Sequence, residues 1–308
     1  MSYTAHALDV TDALPAEVTQ GSRVSIAAWM FAPPTLTRID GKPAVIALLN
    51  GGTYDKRYFH FEVPGEKGYS CAEALRDQGF IVVLLDHLGV GESSRVPSER
   101  SATRQVAALA NHVAVEEIYA RLRAGALDPA IPPLPDFLKV GGGHSMGGFQ
   151  TITQQAEHRT YDRVLILGYT AIGDQLVPAD RGPISPDEAD YVRVDRAALH
   201  KTYHWDDVAP AVIAVDDSLA VDVPCVLSRQ STMMGIVGAD AAKIDVPVYI
   251  CLGERDVSPD PHAEPACYKA SPDITLHILP RSGHCQNFAT TRGEMYARIG
   301  GWIRSVGG

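Results

Sequence analysis

Short runs of apolar, strand-forming residues recur along the chain, separated by stretches whose apolar residues fall at helical spacing. Ala44 to Asn50 reads AVIALLN, a nearly continuous apolar run of the kind a parallel strand buried on both faces requires. Phe80 to Asp86, Leu138 to His144, Arg163 to Gly168, Val246 to Leu252 and Ile274 to Leu279 repeat it. Ser2 to Val10 and Ser22 to Phe31 alternate moderately and suit an antiparallel edge pair. Between the runs, Val106, Leu109, Val113, Ala114, Ile118 and Leu122 trace a helix that Ser101 is placed to cap and Gly125 to end. Met295, Ile299, Trp302 and Ile303 share one face of a last helix, with Thr291 and Glu294 spaced as a capping box. The alternation predicts an α/β fold: a predominantly parallel sheet of about eight strands with helices on both faces.

The rhythm breaks once. From Tyr169 to Ile244 Pro, Asp and aromatic residues become prominent, and a structureless loop of that length is improbable inside a compact domain. The expectation is a core of residues 1–168 and 245–308 with an inserted cap at 169–244. This cap carries twelve Asp and Glu against six Lys and Arg, a formal charge of −6 out of −10 for the whole chain.

A chain of 308 residues, 45% hydrophobic and 21% charged, has the composition of a water-soluble globular protein. Its negative charge disfavours nucleic acid and anionic membrane as partners. The first ten residues lack the basic and apolar segments of a secretory signal, and the longest aliphatic run is far too short to span a bilayer. Five cysteines lie scattered without a C-x-x-C pair, the pattern of reduced thiols in a cytoplasmic enzyme. His200 and His204 are four apart, but no glutamate lies between them, and an exposed or capping role outweighs a metal site.

The chemistry concentrates in LKVGGGHSMGG, Leu138 to Gly148. It holds G-x-S-x-G (Gly143, His144, Ser145, Met146, Gly147) directly after an expected strand and before an expected helix. A serine on so tight a turn is pushed out above the sheet, and small residues two positions either side allow close backbone approach. A phosphate-binding loop would need a Lys-Ser or Lys-Thr pair at its end, and none is present. The base should follow the last strand, where RSGHCQNF supplies His284. An orienting carboxylate should follow an earlier strand: Asp256 is the first choice, with Glu254 and Asp260 as competitors. Two backbone donors are needed for an oxyanion, one from Met146 and one from the Asn50 to Tyr54 loop, at Gly52 or Thr53. His144 reads as a structural neighbour of the nucleophile rather than the base. Tyr54, His144, Trp205 and Met233 are the candidates for contact with substrate, while Met233, Met234, Tyr203 and Trp205 could equally form the core of the cap.

GHSMGG at Gly143 to Gly148 resembles the nucleophile elbow of the α/β-hydrolase fold superfamily. DHLGVGES at Asp86 to Ser93, GERD at Gly253 to Asp256 and GHCQNF at Gly283 to Phe288 resemble further segments of that superfamily, over nearly all of the chain outside the insertion. Where many members have His-Gly in the oxyanion segment, this chain has Asn50 and Gly51. The resemblance implies a serine hydrolase with the triad Ser145, Asp256 and His284, and disfavours the branches whose nucleophile is aspartate. The expected reaction is hydrolysis of a carboxylic ester or lactone, with thioester or carbon–carbon hydrolysis, or a non-catalytic receptor, as alternatives. No cofactor or metal is called for. The acidic cap favours a neutral small-molecule substrate.

Overall fold

A computed structural model describes residues 3–97, 99–173, 185, 187–233 and 235–306. Residues 174–184 and 186 of the expected cap, and Met234, therefore lie outside the described residues. The central sheet is built from β1 (Thr4–Asp9), β2 (Ser25–Phe31), β3 (Lys42–Leu49), β4 (Ile81–Leu85), β5 (Leu138–His144), β6 (Arg163–Leu167), β7 (Val248–Gly253) and β8 (Ile274–Leu279). Its spatial order is β1-β2-β4-β3-β5-β6-β7-β8, with the two-residue strand Arg38–Ile39 pairing on β3. β1 pairs antiparallel with β2 and β2 antiparallel with β4; every later pairing along the order is parallel. The mostly parallel sheet and the antiparallel edge agree with the sequence pattern. β7 starts at Val248 rather than Val246: Pro247 just before it has no N–H to give to a ladder.

Alternation along the strands sorts the core into two halves. Val45, Ala47 and Leu49 of β3, with Val83, Ile166 and Ile250, pack under α2 (Arg104–Ala124) and α3 (Met146–His158). Ala44, Ile46 and Leu48, with Val82, Leu165 and Tyr249, face α1 (Cys71–Arg76) and α6 (Arg292–Ser305) on the other side. Successive strand residues point to opposite faces, so a strand covered by helices on both sides must be apolar throughout. Met295, Ile299, Trp302 and Ile303 form the buried seam of α6, each such side chain contributing about 1.5–3 kcal/mol by leaving water.

Two helix starts differ from expectation. Thr103, not Ser101, caps α2: its hydroxyl accepts from Val106 N–H at 3.4 Å, while Ser101 ends a separate 3-10 turn whose carbonyl takes the Thr103 N–H. Gly125 closes α2 in the left-handed conformation, φ 66°. Thr291 and Glu294 form no capping box, because the Thr291 hydroxyl donates to the Pro280 carbonyl and Glu294 pairs with Arg298. Between β6 and β7 the described residues leave the sheet. There they form α4 (Pro210–Ser218), α5 (Cys225–Ser231), short single turns and a two-residue strand pair, Tyr191–Val192 with Val223–Pro224. Among the described residues no helix is long and apolar enough to cross a membrane.

Candidate active site

Ser145 stands between the last residue of β5 and the first of α3 with φ 53° and ψ −116°. Few L-residues adopt that backbone, and it holds only because the surroundings fix it. The Ser145 N–H donates to the Leu167 carbonyl at 2.8 Å, tying the turn to β6. A Cβ at Gly147 would collide with the Leu49 carbonyl, and one at Gly143 with the backbone of Gly147. The two glycines of the motif are therefore required by close approach.

His284, on the loop after β8, reaches Ser145 Oγ from Nε2 at 3.0 Å and Asp256 Oδ1 from Nδ1 at 2.7 Å. A carboxylate only accepts, so Nδ1 carries the proton and Nε2 is left to accept from the serine hydroxyl. Asp256 is fixed from several sides: Oδ2 accepts from Gly253 N–H at 2.7 Å and from Gln286 Nε2 at 2.8 Å, and Oδ1 also accepts from Val257 N–H at 2.7 Å. Glu254 instead accepts from Arg281 N–H, and Asp260 from the N–H groups of His262 and Ala263. Of the three acids considered in the sequence, the structure brings Asp256 to the histidine.

The Asn50 to Tyr54 loop lies against the Ser145 turn: a Cβ built at Gly51 would come within 3.4 Å of Ser145 Cβ, and one at Gly52 within 3.8 Å of Met146 Cβ. Among the described residues no acceptor within the protein meets the N–H groups of Gly52, Thr53 or Met146. All three residues, with Ser145 and His284, line a cavity of about 510 Å³. Val192, Val194, Leu199, Tyr203 and Val257 give it apolar wall, and Glu188, Arg193, Ser228, Arg229 and Thr232 give it polar wall. Both arginines are paired, Arg193 with Asp222 at 2.7 Å and Arg229 with Glu188 at 2.7 Å. A depression of about 650 Å³ near residues 61–73 is larger, and neither Ser145 nor His284 lines it.

The four residues expected to touch substrate are not among those lining this cavity. Tyr54 is buried, its hydroxyl donating to Asp216 Oδ2 at 3.2 Å, and burial pushes its phenol well above the usual range. His144 is buried behind Ser145, stacked on Tyr58 with ring centroids 4.5 Å apart, and its Nε2 donates to the His284 carbonyl at 2.8 Å. Burial and the nearby His284 hold its pKa well below the ordinary 6.5, so it is a neutral strut for the histidine loop. Trp205 packs under the Arg255 guanidinium, and Met233 is about half exposed. Adjacent residues on a tight turn diverge, which sends His144 away from the serine. Tyr54 is drawn under by its hydrogen bond to a buried carboxylate.

Sequence reasoning missed Gln286 and Arg196. Gln286 follows His284 by two residues, within the GHCQNF segment, and that position was the available signal. Arg196 comes from the insertion, reaches Thr53 with its guanidinium, and had no signal in local pattern.

No curated protein matches the chain in sequence. Solved structures do match in fold. A thermophilic esterase from Thermogutta terrifontis superposes with a TM-score of 0.63 at 15% identity, covering 98% of each chain. An N-acyl homoserine lactonase gives 0.60 at 15% identity over 99% of each chain. The thioesterase domain from the curacin biosynthetic pathway gives 0.58 at 12% identity, over 99% of this chain and 100% of its own. At such identities the likeness is one of fold. The model of the alpha/beta hydrolase family matches residues 46–298, most of the chain, and with the strand order and turn geometry above the conclusion is that the chain belongs to that family.

Proposed function

We propose that the chain is a serine hydrolase that cleaves a carboxylic ester or lactone through an acyl-enzyme intermediate. The observation that carries this reading is the unbroken relay from Ser145 Oγ through His284 to Asp256, at 3.0 and 2.7 Å, opening onto a cavity beside unused backbone donors. His284 Nε2 takes the Ser145 proton as Oγ bonds to the carbonyl carbon. The N–H of Met146, with that of Gly52 or Thr53, stabilises the oxyanion. Collapse expels the alkoxide, which takes the proton from His284. A water then repeats the attack with His284 as base, releasing the acid and free Ser145. Asp256 holds the ring in the tautomer that each step requires. The described residues of the 169–244 insertion act as a cap over this site, and the paired Arg193 and Arg229 with the apolar wall suit a neutral small molecule.

Two measurements test the reading together: labelling by a fluorophosphonate, and turnover of p-nitrophenyl esters by wild type and Ser145→Ala. The expected result is a single adduct on Ser145 and a kcat at least about 10⁴-fold lower in a folded Ser145→Ala protein. Near-normal turnover by that variant would overturn the mechanism. A wild type that neither labels nor turns over would point to a binding protein instead.

A further inference from the structure

Thr53 is a β-branched residue with φ 67°, in a turn closed by the Tyr54 N–H on the Gly51 carbonyl at 3.3 Å. That left-handed region suits glycine, and threonine occupies it only under constraint. Relaxing to negative φ would rotate the peptide between Gly52 and Thr53, and with it the N–H that Thr53 offers to the site. The constraint comes from the insertion. Arg196, 4% exposed, donates from Nη2 to the Thr53 carbonyl at 2.6 Å and reaches the Thr53 hydroxyl at 3.4 Å. The Val221 N–H donates to the same carbonyl at 3.0 Å.

Arg196 is itself held. Its Nη1 donates to Asp216 Oδ1 at 2.8 Å and to the Asp216 carbonyl, with Asp216 fully buried. Its guanidinium carbon lies 3.9 Å over the centre of the Tyr54 ring, and the Tyr54 hydroxyl closes the circuit on Asp216 Oδ2. A buried ion pair is weak evidence for stability, since well-packed apolar residues often serve as well. A planar fork that grips the carbonyl and the hydroxyl of one strained residue is a geometric device.

We propose that Arg196 is a positioning residue for the oxyanion site: through Thr53 it holds the Gly51 to Tyr54 turn with its N–H groups aimed at the reacting carbonyl. This rests on the serine-hydrolase reading. Arg196 touches no reacting atom, so its removal should lower kcat and spare ground-state binding.

The test compares wild type, Arg196→Lys, and Arg196→Met combined with Asp216→Asn, which removes both charges together. kcat and KM are measured on a p-nitrophenyl ester, alongside inhibition by a trifluoromethyl ketone, whose adduct with Ser145 places an oxyanion in the site. The expected result is a kcat about 10²-fold lower in the double variant, KM within about twofold, and ketone binding weakened in parallel with kcat. Arg196→Lys keeps the charge and one bond, and should recover part of both. A kcat loss without weaker ketone binding, or a raised KM at unchanged kcat, overturns the inference. If the double variant does not fold, Arg196→Lys decides: unchanged kcat and ketone affinity overturn the inference, a parallel fall in both supports it. A wild type that neither turns over nor captures a fluorophosphonate defeats the serine-hydrolase reading itself, whereas an active wild type with undiminished variants defeats this inference alone.

Discussion

The turn that carries Ser145 and the segment that walls the cavity are held by different means. Ser145 is set by backbone: a strand end, a helix start, two glycines packed against neighbouring carbonyls, and a hydrogen bond to β6. The wall between β6 and β7 is set by charge, with Arg193 on Asp222, Arg196 on Asp216 and Arg229 on Glu188. Backbone contacts of this kind, some of them to distant strands, carry no net charge and are indifferent to salt. Ion pairs join residues 20 to 41 positions apart, and where exposed they weaken as salt screens them. The Ser145 turn should therefore respond to changes of shape and the wall to changes of charge.

The sharpest break in that comparison is Asp256→Asn, an isosteric change within the backbone-built half that alters only donor and acceptor character. It should cost on the order of 10³-fold in kcat by favouring the wrong imidazole tautomer, while Asp260→Asn and Glu254→Gln cost a few-fold at most. Steady-state kinetics on the three variants decide, and a crippled Asp260→Asn beside a mild Asp256→Asn would reassign the acid.

Acid should find the backbone-built half through its buried histidines. His87 bonds the Asn50 carbonyl at 2.7 Å, and burial lowers its pKa from 6.5 to about 4; burial and the nearby His284 hold His144 well below 6.5. The unfolded chain therefore binds protons that the folded one refuses. The stability these groups provide is whole above pH 6.5 and falls as pH drops toward 4, by about 1.4 kcal/mol per pH unit for each histidine still neutral only in the fold. Urea midpoints across that window should show the slope, and His87→Gln should flatten it by about one proton. An unchanged slope in that variant would mean that His87 does not set the window.

The smallest effect belongs to the charged wall. Matched esters with and without a carboxylate should differ in kcat/KM by a few-fold in favour of the neutral one, narrowing as salt rises. A preference for the anionic ester at low salt would show that Arg193 or Arg229 leaves its partner for the ligand.

Much of the fold was legible because it is written in local repeats: the eight strand runs, the Gly125 helix stop and the strand–turn–helix context of Ser145 each depend on a few neighbouring residues. The triad candidates were legible for the same reason, since each follows a strand. The helix caps were misread for two reasons: two hydroxyl residues, Ser101 and Thr103, precede α2 and only Thr103 meets Val106, and Thr291 spends its proton on Pro280. The substrate wall was not legible. Tyr54 reads in sequence as an aromatic beside an oxyanion loop, and only the meeting of Arg196 and Asp216, far along the chain, shows that it is buried under them. Gln286 was passed over because its function is visible only when Asp256 is seen to have a second oxygen to satisfy.

The N–H groups of His284 and Cys285 donate to the carbonyls of Thr202 and Tyr203, and a Cβ at Gly283 would press within 2.6 Å of both carbonyls. The histidine loop thus rests its donors on the C-terminal end of a single helical turn, His200–Tyr203, of the inserted segment. For protein engineering this marks where a transplant must be cut. A cap exchanged wholesale from a relative would replace the two acceptors and could leave His284 on a loop with bare donors, however well the foreign cap suited a new substrate. A chimera that keeps residues 196–221 and replaces the wall on either side retains that helical turn, and selectivity can then be redesigned without disturbing the loop beneath it.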